Sequence, residues 1–301
     1  MTAREAGFLL LTSQLGNPDR KVLTTAQLRV LAQRSKQLDV SDPDRDLTAS
    51  DLAALGYGGE MSTRILALLE EKELLEYYLL QGRKAGCVPL TRVSAAYPER
   101  IRKKLGLDSP GCLWAKGNLE ILNRPAVALV GSRELTAENG AFAREAGRQA
   151  ALQGYTLVSG NARGADKTAQ EACLAFGGQV ISIVADGLCS HRSREHVLYL
   201  SEDGFDLPFT AQRAISRNRC VHSLGQRTFV AQCGYQTGGT WDGTVKNLRF
   251  GWSPVFCYAD GSPAAELLTQ MGAESIQIED LNDFTKLPKP VASLLDWEET
   301  Q

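Results

Sequence analysis

Glycine, hydroxyl and arginine residues recur in four short stretches of the 301-residue chain. These are Gly131-Ser132-Arg133, the SGNARGAD stretch at 159–166, Arg217-Asn218-Arg219, and the turn that holds Gly238-Gly239-Thr240. Glycine lets backbone N–H groups approach a ligand closely, and the guanidinium group of arginine matches the oxygens of a phosphate. We therefore expect a site for a phosphate or a nucleotide. The alternative is that the glycines form tight turns between strands and helices and that the arginines are ordinary surface residues.

Three aspartates near these stretches are candidates for acid–base catalysis, namely Asp166, Asp186 and Asp242. Asp166 begins a predicted helix, where a carboxylate ordinarily serves as a cap. It would equally suit holding Arg163 or Arg133 in place. We interpret all three aspartates as structural, so the sequence predicts a binding protein with no catalytic residue.

The motifs of common nucleotide-dependent enzymes and hydrolases are missing from the chain. The first glycine turn reads GSREL rather than G-x-G-x-x-G, and Ser159-Gly160 stands where a ribose-binding acid is expected. Neither a G-x-x-x-x-G-K-[ST] loop nor a G-x-S-x-G motif occurs, and the chain has only three histidines. These gaps argue against NAD, FAD and P-loop ATPase sites and against a hydrolase triad, and we expect no cofactor.

The seven cysteines are scattered and form no C-x-x-C pair, which is typical of reduced thiols in a cytosolic protein. Cys189, His191 and His196 are zinc-type ligands that lie within eight residues of one another. No fourth ligand lies nearby, and Arg192 and Arg194 would repel a cation. We interpret these residues as a solvated loop and predict no metal site.

The composition is that of a globular protein, with 43% apolar and 23% charged residues. The formal net charge of −2 excludes a globally basic nucleic-acid coat but allows a local basic patch. A short apolar patch at 8–11 is too short for a signal peptide or a membrane span. We expect a cytoplasmic protein without a membrane partner.

Short apolar runs alternate with helical patterns from residue 126 onward. The runs are AVALV at 126–130, YTLVS at 155–159, VISIVA at 180–185, TFVAQ at 228–232 and PVFCY at 254–258. Their β-branched and aromatic content predicts buried parallel strands, and the segments between them predict crossover helices. The expected fold is a doubly wound, mostly parallel α/β sheet. Ligands of such sheets bind beyond the carboxyl ends of the strands, where the glycine and arginine stretches fall. A weaker helix and strand, PAAELLTQM and AESIQI, follow.

Residues 1–85 carry apolar residues at three- and four-residue spacings and predict a small helical domain. Thr48 or Ser50 is expected to cap one of its helices. A helix, a glycine turn and a further helix are typical of SAM or helix-hairpin-helix modules, which often contact DNA, but a purely structural bundle fits equally well. Prolines punctuate residues 86–125, which predicts an irregular lead-in packed on the next domain, residues 126–301.

These motifs, in this order, resemble the DNA-processing protein A family, the bacterial mediators of natural transformation. The strand-plus-G-S-R motif of the family matches VALVGSR at 127–133, and its S-G-x-A-x-G-x-D motif matches SGNARGAD at 159–166. Its R-N-R segment matches residues 217–219, and its S-G-[ST] turn is similar to TGGT at 237–240. The resemblance covers about residues 86–280.

The resemblance implies a Rossmann-like domain that binds single-stranded DNA, acts as a homodimer and helps to load the RecA recombinase during DNA uptake or recombination. Members of the family have no established enzymatic activity. Carried over by position, the DNA contacts would come from Ser132, Arg133, Ser159, Gly160, Arg163, Arg217 and Arg219. The full predicted phosphate- and nucleic-acid-binding set is Gly131, Ser132, Arg133, Ser159, Gly160, Arg163, Gly164, Asp166, Arg217, Asn218, Arg219, Gly238, Gly239 and Thr240.

Several departures from the family pattern predict a divergent member. Gln170 stands where the family usually has histidine. Residues 189–192 replace a usual tyrosine-proline pair, and Trp241-Asp242 follows the last glycine turn. The C-terminal winged-helix domain of many members is expected to be absent, because the sequence ends at residue 301.

Two other functions of the same fold superfamily stay open, a nucleotide-binding sensor and a nucleoside phosphoribohydrolase of the Lonely Guy type. Those hydrolases carry P-G-G-x-G-T-x-x-E, whereas here TWDGTVKN follows Gly238-Gly239 and no glutamate stands at the position of the catalytic acid. A sensor would be stabilised against heat by a mononucleotide or a cyclic dinucleotide. A DNA-binding protein would instead show steep salt dependence.

Overall fold

The computed structural model describes residues 1–38, 45–202 and 204–288. The chain forms two compact units. The first contains residues 1–117, 186–193 and 200–209, and the second contains residues 118–185, 194–199 and 210–301, of which 289–301 lie outside the described residues. The domain boundaries expected at residues 85 and 125 stay predictions.

Nine strands occur in the described residues: β1 Cys87–Thr91, β2 Cys112–Lys116, β3 Ala126–Val130, β4 Thr156–Ser159, β5 Gln179–Val184, β6 Val197–Glu202, β7 Thr228–Val230, β8 Val255–Tyr258 and β9 Glu274–Ile276. The α-helices of the same residues are α1 Ala3–Thr12, α2 Thr25–Ser35, α3 Ala49–Ala54, α4 Gly59–Glu70, α5 Lys72–Lys84, α6 Glu99–Leu105, α7 Ala137–Leu152, α8 Ala165–Ala175, α9 Ala211–Ser216, α10 Asn218–Leu224, α11 Gly238–Phe250 and α12 Pro263–Gln270.

The second unit is built on a mostly parallel sheet in which its complete strands follow the order β5-β4-β3-β7-β8-β9. Strand β3 pairs in parallel with both β4 and β7. The chain runs outward from β3 through β4 and β5 and then returns to place β7 on the other side of β3. This reversal is the topological switch point of a doubly wound sheet. The predicted Rossmann-like α/β fold is therefore confirmed.

The central strands are buried on both faces, which explains their unbroken apolar sequences. Every residue of β3 is buried, and so is every residue of β4 and β8. Helices cover the sheet, so a run of alanine, valine and leucine avoids water without alternating with polar residues. The strands expected at 126–130, 155–159, 180–185, 228–232 and 254–258 are all present, with ends shifted by one or two residues.

Helices α7 and α8 are the two crossovers that flank β4, and they pack very closely. The approach depends on Gly147 of α7, because a Cβ there would lie 2.8 Å from the carbonyl carbon of Ala169 and 2.9 Å from its Cα. Real Cβ atoms do not approach backbone atoms so closely. The small residues of this interface thus hold α8, and the loop that precedes it, against the sheet.

The N-terminal part of the first unit is helical, as predicted. Threonines form capping boxes at the starts of α1, α2 and α3, and Thr48 rather than Ser50 caps α3. Helices α4 and α5 are separated by a break at Glu71. The buried guanidinium of Arg20 donates to the carboxylate of Glu71 over 2.5 Å and also to the carbonyl oxygen of Leu10. This ion pair stabilises the break.

The expectation of an irregular lead-in at 86–125 is wrong. This stretch contains β1, α6 and β2, and the two strands pair antiparallel. Pro89 lies inside β1, opposite Trp114 of β2. Proline usually argues against a strand, yet it is tolerated where its missing N–H removes no ladder bond. The indole of Trp114 is fully buried and packs against the rings of Tyr78 and Phe205, at centroid distances of 5.3 and 4.9 Å.

Among the residues that the structure describes, no helix combines the length and the apolar character that crossing a bilayer requires.

Candidate phosphate-binding site

Three loops of the second unit meet at the switch point, where β3, β4 and β7 end. Backbone hydrogen bonds join them. The N–H of Ser132, after β3, donates to the carbonyl oxygen of Gln232, after β7, over 2.9 Å. The N–H of Ala165, after β4, donates to the carbonyl oxygen of Ser132 over 3.1 Å. The structure thus brings the predicted stretches at 131–133 and 159–166 together.

Two of the predicted glycines allow these loops to pack on each other. A Cβ on Gly131 would overlap the Cβ of Ala165 and lie 3.3 Å from the Cβ of Ala231. Gly164 has a φ of +85°, and a Cβ there would lie 2.5 Å from the carbonyl oxygen of Arg133. Both glycines are therefore required by contacts between protein atoms. Their contact with a ligand stays a prediction.

Two buried side chains of opposite charge type, Asp166 and Arg217, pack against the loop after β4. The carboxylate of Asp166 is 5% exposed and accepts hydrogen bonds from the N–H groups of Gly160, over 3.0 Å, and Ala162, over 3.1 Å. Arg217 is 7% exposed, and its guanidinium lies over Gly160 so closely that a Cβ there would overlap it. Asp166 thus shapes the loop and faces Arg217, where the sequence suggested a helix cap or a partner for Arg163 or Arg133.

The charges around Asp166 act against the cost of burying it. Desolvation raises the pKa of this carboxyl above its usual range. The positive charge of Arg217 opposes that shift most strongly, followed by the two loop N–H groups and then by Arg133. Ionisation of this carboxyl therefore depends on the charge of Arg217 more than on any other group.

The four predicted arginines differ in their access to a ligand. Arg133 and Arg163 are exposed, Arg219 is half-buried and Arg217 is buried. Nη2 of Arg163 lies 3.4 Å from Oε1 of Glu134, and these side chains are 75% and 90% exposed. Such an exposed ion pair is weak, so Arg163 is free to exchange Glu134 for another anion. Nη1 of Arg219 donates to the carbonyl oxygen of Ser216 over 2.8 Å.

The R-N-R segment and the last glycine turn are joined at the start of α11. Nδ2 of Asn218 donates to the carbonyl oxygen of Gly239 over 2.9 Å, and Oγ1 of Thr240 donates to the carbonyl oxygen of Gly131 over 3.0 Å. Gly238 has a φ of +87° and open space around it. No side chain caps the first turn of this 13-residue helix. Because Thr240 in this first turn is bonded to Gly131, the helix N–H groups and the positive end of the helix dipole lie beside the loop that carries Arg133.

Ser159 faces the protein interior. Its hydroxyl accepts a hydrogen bond from Nε2 of Gln170 over 2.6 Å, and the same amide lies 3.4 Å from the hydroxyl of Ser182. Gln170 is one of the positions at which the sequence was expected to depart from the family pattern. The departure is accommodated because a buried amide donates to both hydroxyl groups, which join β4 and β5 to α8.

Sequence reasoning missed His222, which lies in α10 three residues after the R-N-R segment. Its ring is fully buried, and Nδ1 accepts from Nδ2 of Asn247 over 3.1 Å. Asn247 also bonds Ser253, whose hydroxyl bonds Thr228 of β7 over 2.6 Å. Burial, assisted by the charge of Arg217, lowers the pKa of His222 to about 3. This neutral histidine thus belongs to a polar network that positions α10. A lone histidine in an apolar stretch gave no signal of it.

We expect the protein to become less stable as the pH is lowered, because of His222. A histidine has a pKa near 6.5 when unfolded and about 3 here. Its stabilising contribution is complete above pH 6.5 and declines by up to about 1.4 kcal/mol per pH unit as the pH falls toward 3. Urea unfolding of the parent and of His222→Gln between pH 7.5 and 4.5 measures this. The stability difference between the two should shrink as the pH falls, and parallel pH curves would contradict the prediction.

The structure gives no evidence for a metal site at Cys189, His191 and His196 among the residues that it describes. Nε2 of His191 lies 3.0 Å from Oδ1 of Asp186, and Cys189 is exposed. Across the described ranges, no group of three or more histidine, cysteine, aspartate or glutamate side chains is placed to hold a metal ion.

Comparison with known proteins identifies relatives over most of the chain. The family model described as DNA recombination-mediator protein A matches residues 89–280. The DNA processing protein DprA of Streptococcus pneumoniae is 33% identical over 141 residues, which cover 44% of this chain and 50% of that protein. The chain thus spans about half the length of this curated relative.

Two solved structures share the fold. DNA processing protein A from Streptococcus pneumoniae superposes with a TM-score of 0.71 and 24% identity over 93% of this chain and 97% of that one. DNA processing protein A from Helicobacter pylori superposes with a TM-score of 0.55 and 23% identity over 66% of this chain and 96% of that one. The family model covers the strands, the loops and the arginines of the candidate site. The chain therefore belongs to the DNA recombination-mediator protein A family.

Proposed function

We propose that this protein binds single-stranded DNA across the edge formed by the carboxyl ends of β3, β4 and β7. The observation that carries the proposal is that hydrogen bonds join the loop of the exposed Arg133 both to the loop that carries the exposed Arg163 and to the first turn of α11. Membership of the family supports it. The Helicobacter pylori relative of the same fold was solved to explain its single-stranded DNA binding mode, which supports it further.

The arginines divide into two groups with different roles. Arg133 and Arg163 are exposed, so their guanidinium groups reach phosphates of a bound strand. Arg217 is buried against Gly160 and Asp166, so it holds the shape of the loop beneath the strand. Arg219, which is half-buried, lies at the border between these groups. A chain with a net charge of −2 can thus carry a local group of exposed arginines at this edge.

Single strands fit this edge better than a duplex. The candidate surface consists of loops and helix starts, and the described residues there include no projecting helix that would enter a major groove. A single strand bends to follow the crevice and presents its phosphates one after another. The protein acts by binding, and none of the predicted site residues has a role in catalysis.

We infer a mediator role in DNA uptake or recombination from the family membership. In this role the protein acts as a homodimer and loads a RecA recombinase onto the bound strand. Sedimentation velocity on the full chain tests the dimer, and RecA filament formation on coated oligonucleotides tests the loading.

Replacing both exposed arginines should weaken binding to every sequence alike. We expect Arg133→Ala with Arg163→Ala to lower the affinity for a 20-nucleotide single strand by roughly 10- to 100-fold at low salt, because two charge-assisted phosphate contacts are lost. The slope of log affinity against log salt should fall by about 0.7 for each contact. Fluorescence anisotropy over a salt series measures both quantities.

Arg249→Ala is the matched control, because Arg249 is exposed and lies at the opposite end of α11. It should bind like the parent. The proposal is wrong if the parent does not bind the single strand at low salt, or if the double variant binds it as tightly as the parent. Thermal stabilisation by a mononucleotide or a cyclic dinucleotide, without DNA binding, would point instead to a sensor.

A further inference from the structure

An exposed aromatic ring, Tyr235, stands in the turn between β7 and α11. The side chain is 55% exposed. It occupies the first of the two tip positions of the turn, since Gly234 and Thr237 form an antiparallel bridge around Tyr235 and Gln236. The described residues hold other exposed aromatics, but this one lies between two segments that contribute to the candidate phosphate site.

The position of Tyr235 relative to that site is fixed by the bonds on either side of it. Three residues earlier, the carbonyl oxygen of Gln232 accepts from the N–H of Ser132 over 2.9 Å. Five residues later, the hydroxyl of Thr240 donates to the carbonyl oxygen of Gly131 over 3.0 Å. The turn is therefore anchored at both ends to the loop that carries Arg133.

The turn also has features that hold the ring in a defined place. Gln236 adopts a φ of +52°, which is unusual for a residue with a side chain and persists only where its surroundings determine the backbone. The ring of Tyr235 leans on the nearly buried indole of Trp241, with centroids 6.3 Å apart and planes at 46°. Trp241 supports one side of the ring, and the exposed remainder is available to a ligand.

We propose that Tyr235 is a stacking platform for one nucleobase of the strand whose phosphates lie at Arg133. An aromatic face beside a cationic crevice is the combination by which proteins hold single strands without reading sequence, because every base has a π-face. The inference rests on the proposed function. It adds a base contact to a site for which the sequence predicted only phosphate contacts.

The test separates base contacts from phosphate contacts. Tyr235→Ala should lower the affinity for an oligothymidylate by roughly 5- to 150-fold, the range measured for loss of one stacked base. It should leave the affinity for an abasic oligonucleotide of the same length and charge unchanged, because that probe carries phosphates but no bases. Tyr235→Phe should bind oligothymidylate like the parent, since the ring is kept.

Phe250 provides the matched control, because it is also 55% exposed and ends the same helix that begins beside Tyr235. Phe250→Ala should bind both probes like the parent. Equal losses of Tyr235→Ala on the two probes, or no loss on either, would overturn the inference while leaving the proposed function intact. Failure of the parent to bind oligothymidylate at all would overturn the proposed function itself.

Discussion

Arg217→Ala is expected to lower the free energy of unfolding by about 3 kcal/mol and to reduce single-stranded DNA binding to the level of non-specific adsorption. The guanidinium of Arg217 is the largest favourable influence on the buried carboxylate of Asp166. Removing one member of a buried charge pair leaves the other uncompensated, which costs about 3 to 5 kcal/mol in measured cases. The loop after β4, which contains Gly160 and carries Arg163, would then lose its shape, and the loop of Arg133, which is bonded to it through Ser132, would shift as well. Urea unfolding and fluorescence anisotropy measure the two effects.

Three further variants show whether the effect comes from the charge pair, and one of them is Asp166→Asn alone. Arg219→Ala removes the same charge two residues away, where the side chain is half-buried and donates to Ser216, so its unfolding should change much less. Asp166→Asn added to Arg217→Ala removes the uncompensated charge and should recover part of the lost stability. The contrary result would be additivity: Asp166→Asn would lower the free energy of unfolding of Arg217→Ala by as much as it lowers that of the parent. The two residues would then not interact.

Gly147→Ala is expected to destabilise the second unit by at least about 3 kcal/mol, beyond the usual range of 1 to 3 kcal/mol for overpacking. The new Cβ would lie within 2.9 Å of three backbone atoms of Ala169, and backbone cannot rotate aside as a side chain does. Helix α8 would have to move away from α7, and the loop before α8 would move with it. Thermal or urea unfolding gives the stability change.

Gly140→Ala is a control on the same helix. Gly140 lies in α7 with open space around its Cα, so alanine adds no contact. Because alanine is the better helix former, this variant should be more stable than the parent by roughly 0.5 to 1 kcal/mol. Opposite signs at positions 140 and 147 are the expected pattern. A Gly147→Ala protein as stable as the parent would contradict the packing described for α7 and α8.

The strands of the second unit could be predicted because each is a short, nearly continuous apolar run between helical patterns. Strands β1 and β2 could not. Pro89 interrupts β1, and the burial of Trp114 depends on Tyr78 and Phe205, which lie far from it in sequence. The local pattern of apolar residues does not indicate which distant residues will pack against a given side chain.

The candidate site shows the same limit. Since the carboxyl ends of parallel strands share one edge, the sequence could predict that the stretches at 131–133, 159–166 and 238–240 meet there. It could not predict that Arg217 lies buried over Gly160, 57 positions earlier in the chain. Residue type alone does not separate a buried arginine that supports a loop from an exposed arginine that meets a ligand.

The hydrogen bonds at the switch point bear on which partner would change shape if a strand binds as proposed. Ser132 is bonded to Gln232 and Thr240 to Gly131, so the loop after β3 is joined to the loop after β7 and to the start of α11 without any ligand. Moving the loop after β3 away from β7 would break both bonds. The conformational cost of the proposed association would therefore fall on the nucleic acid, and a flexible strand with little base stacking would lose less than a rigid one.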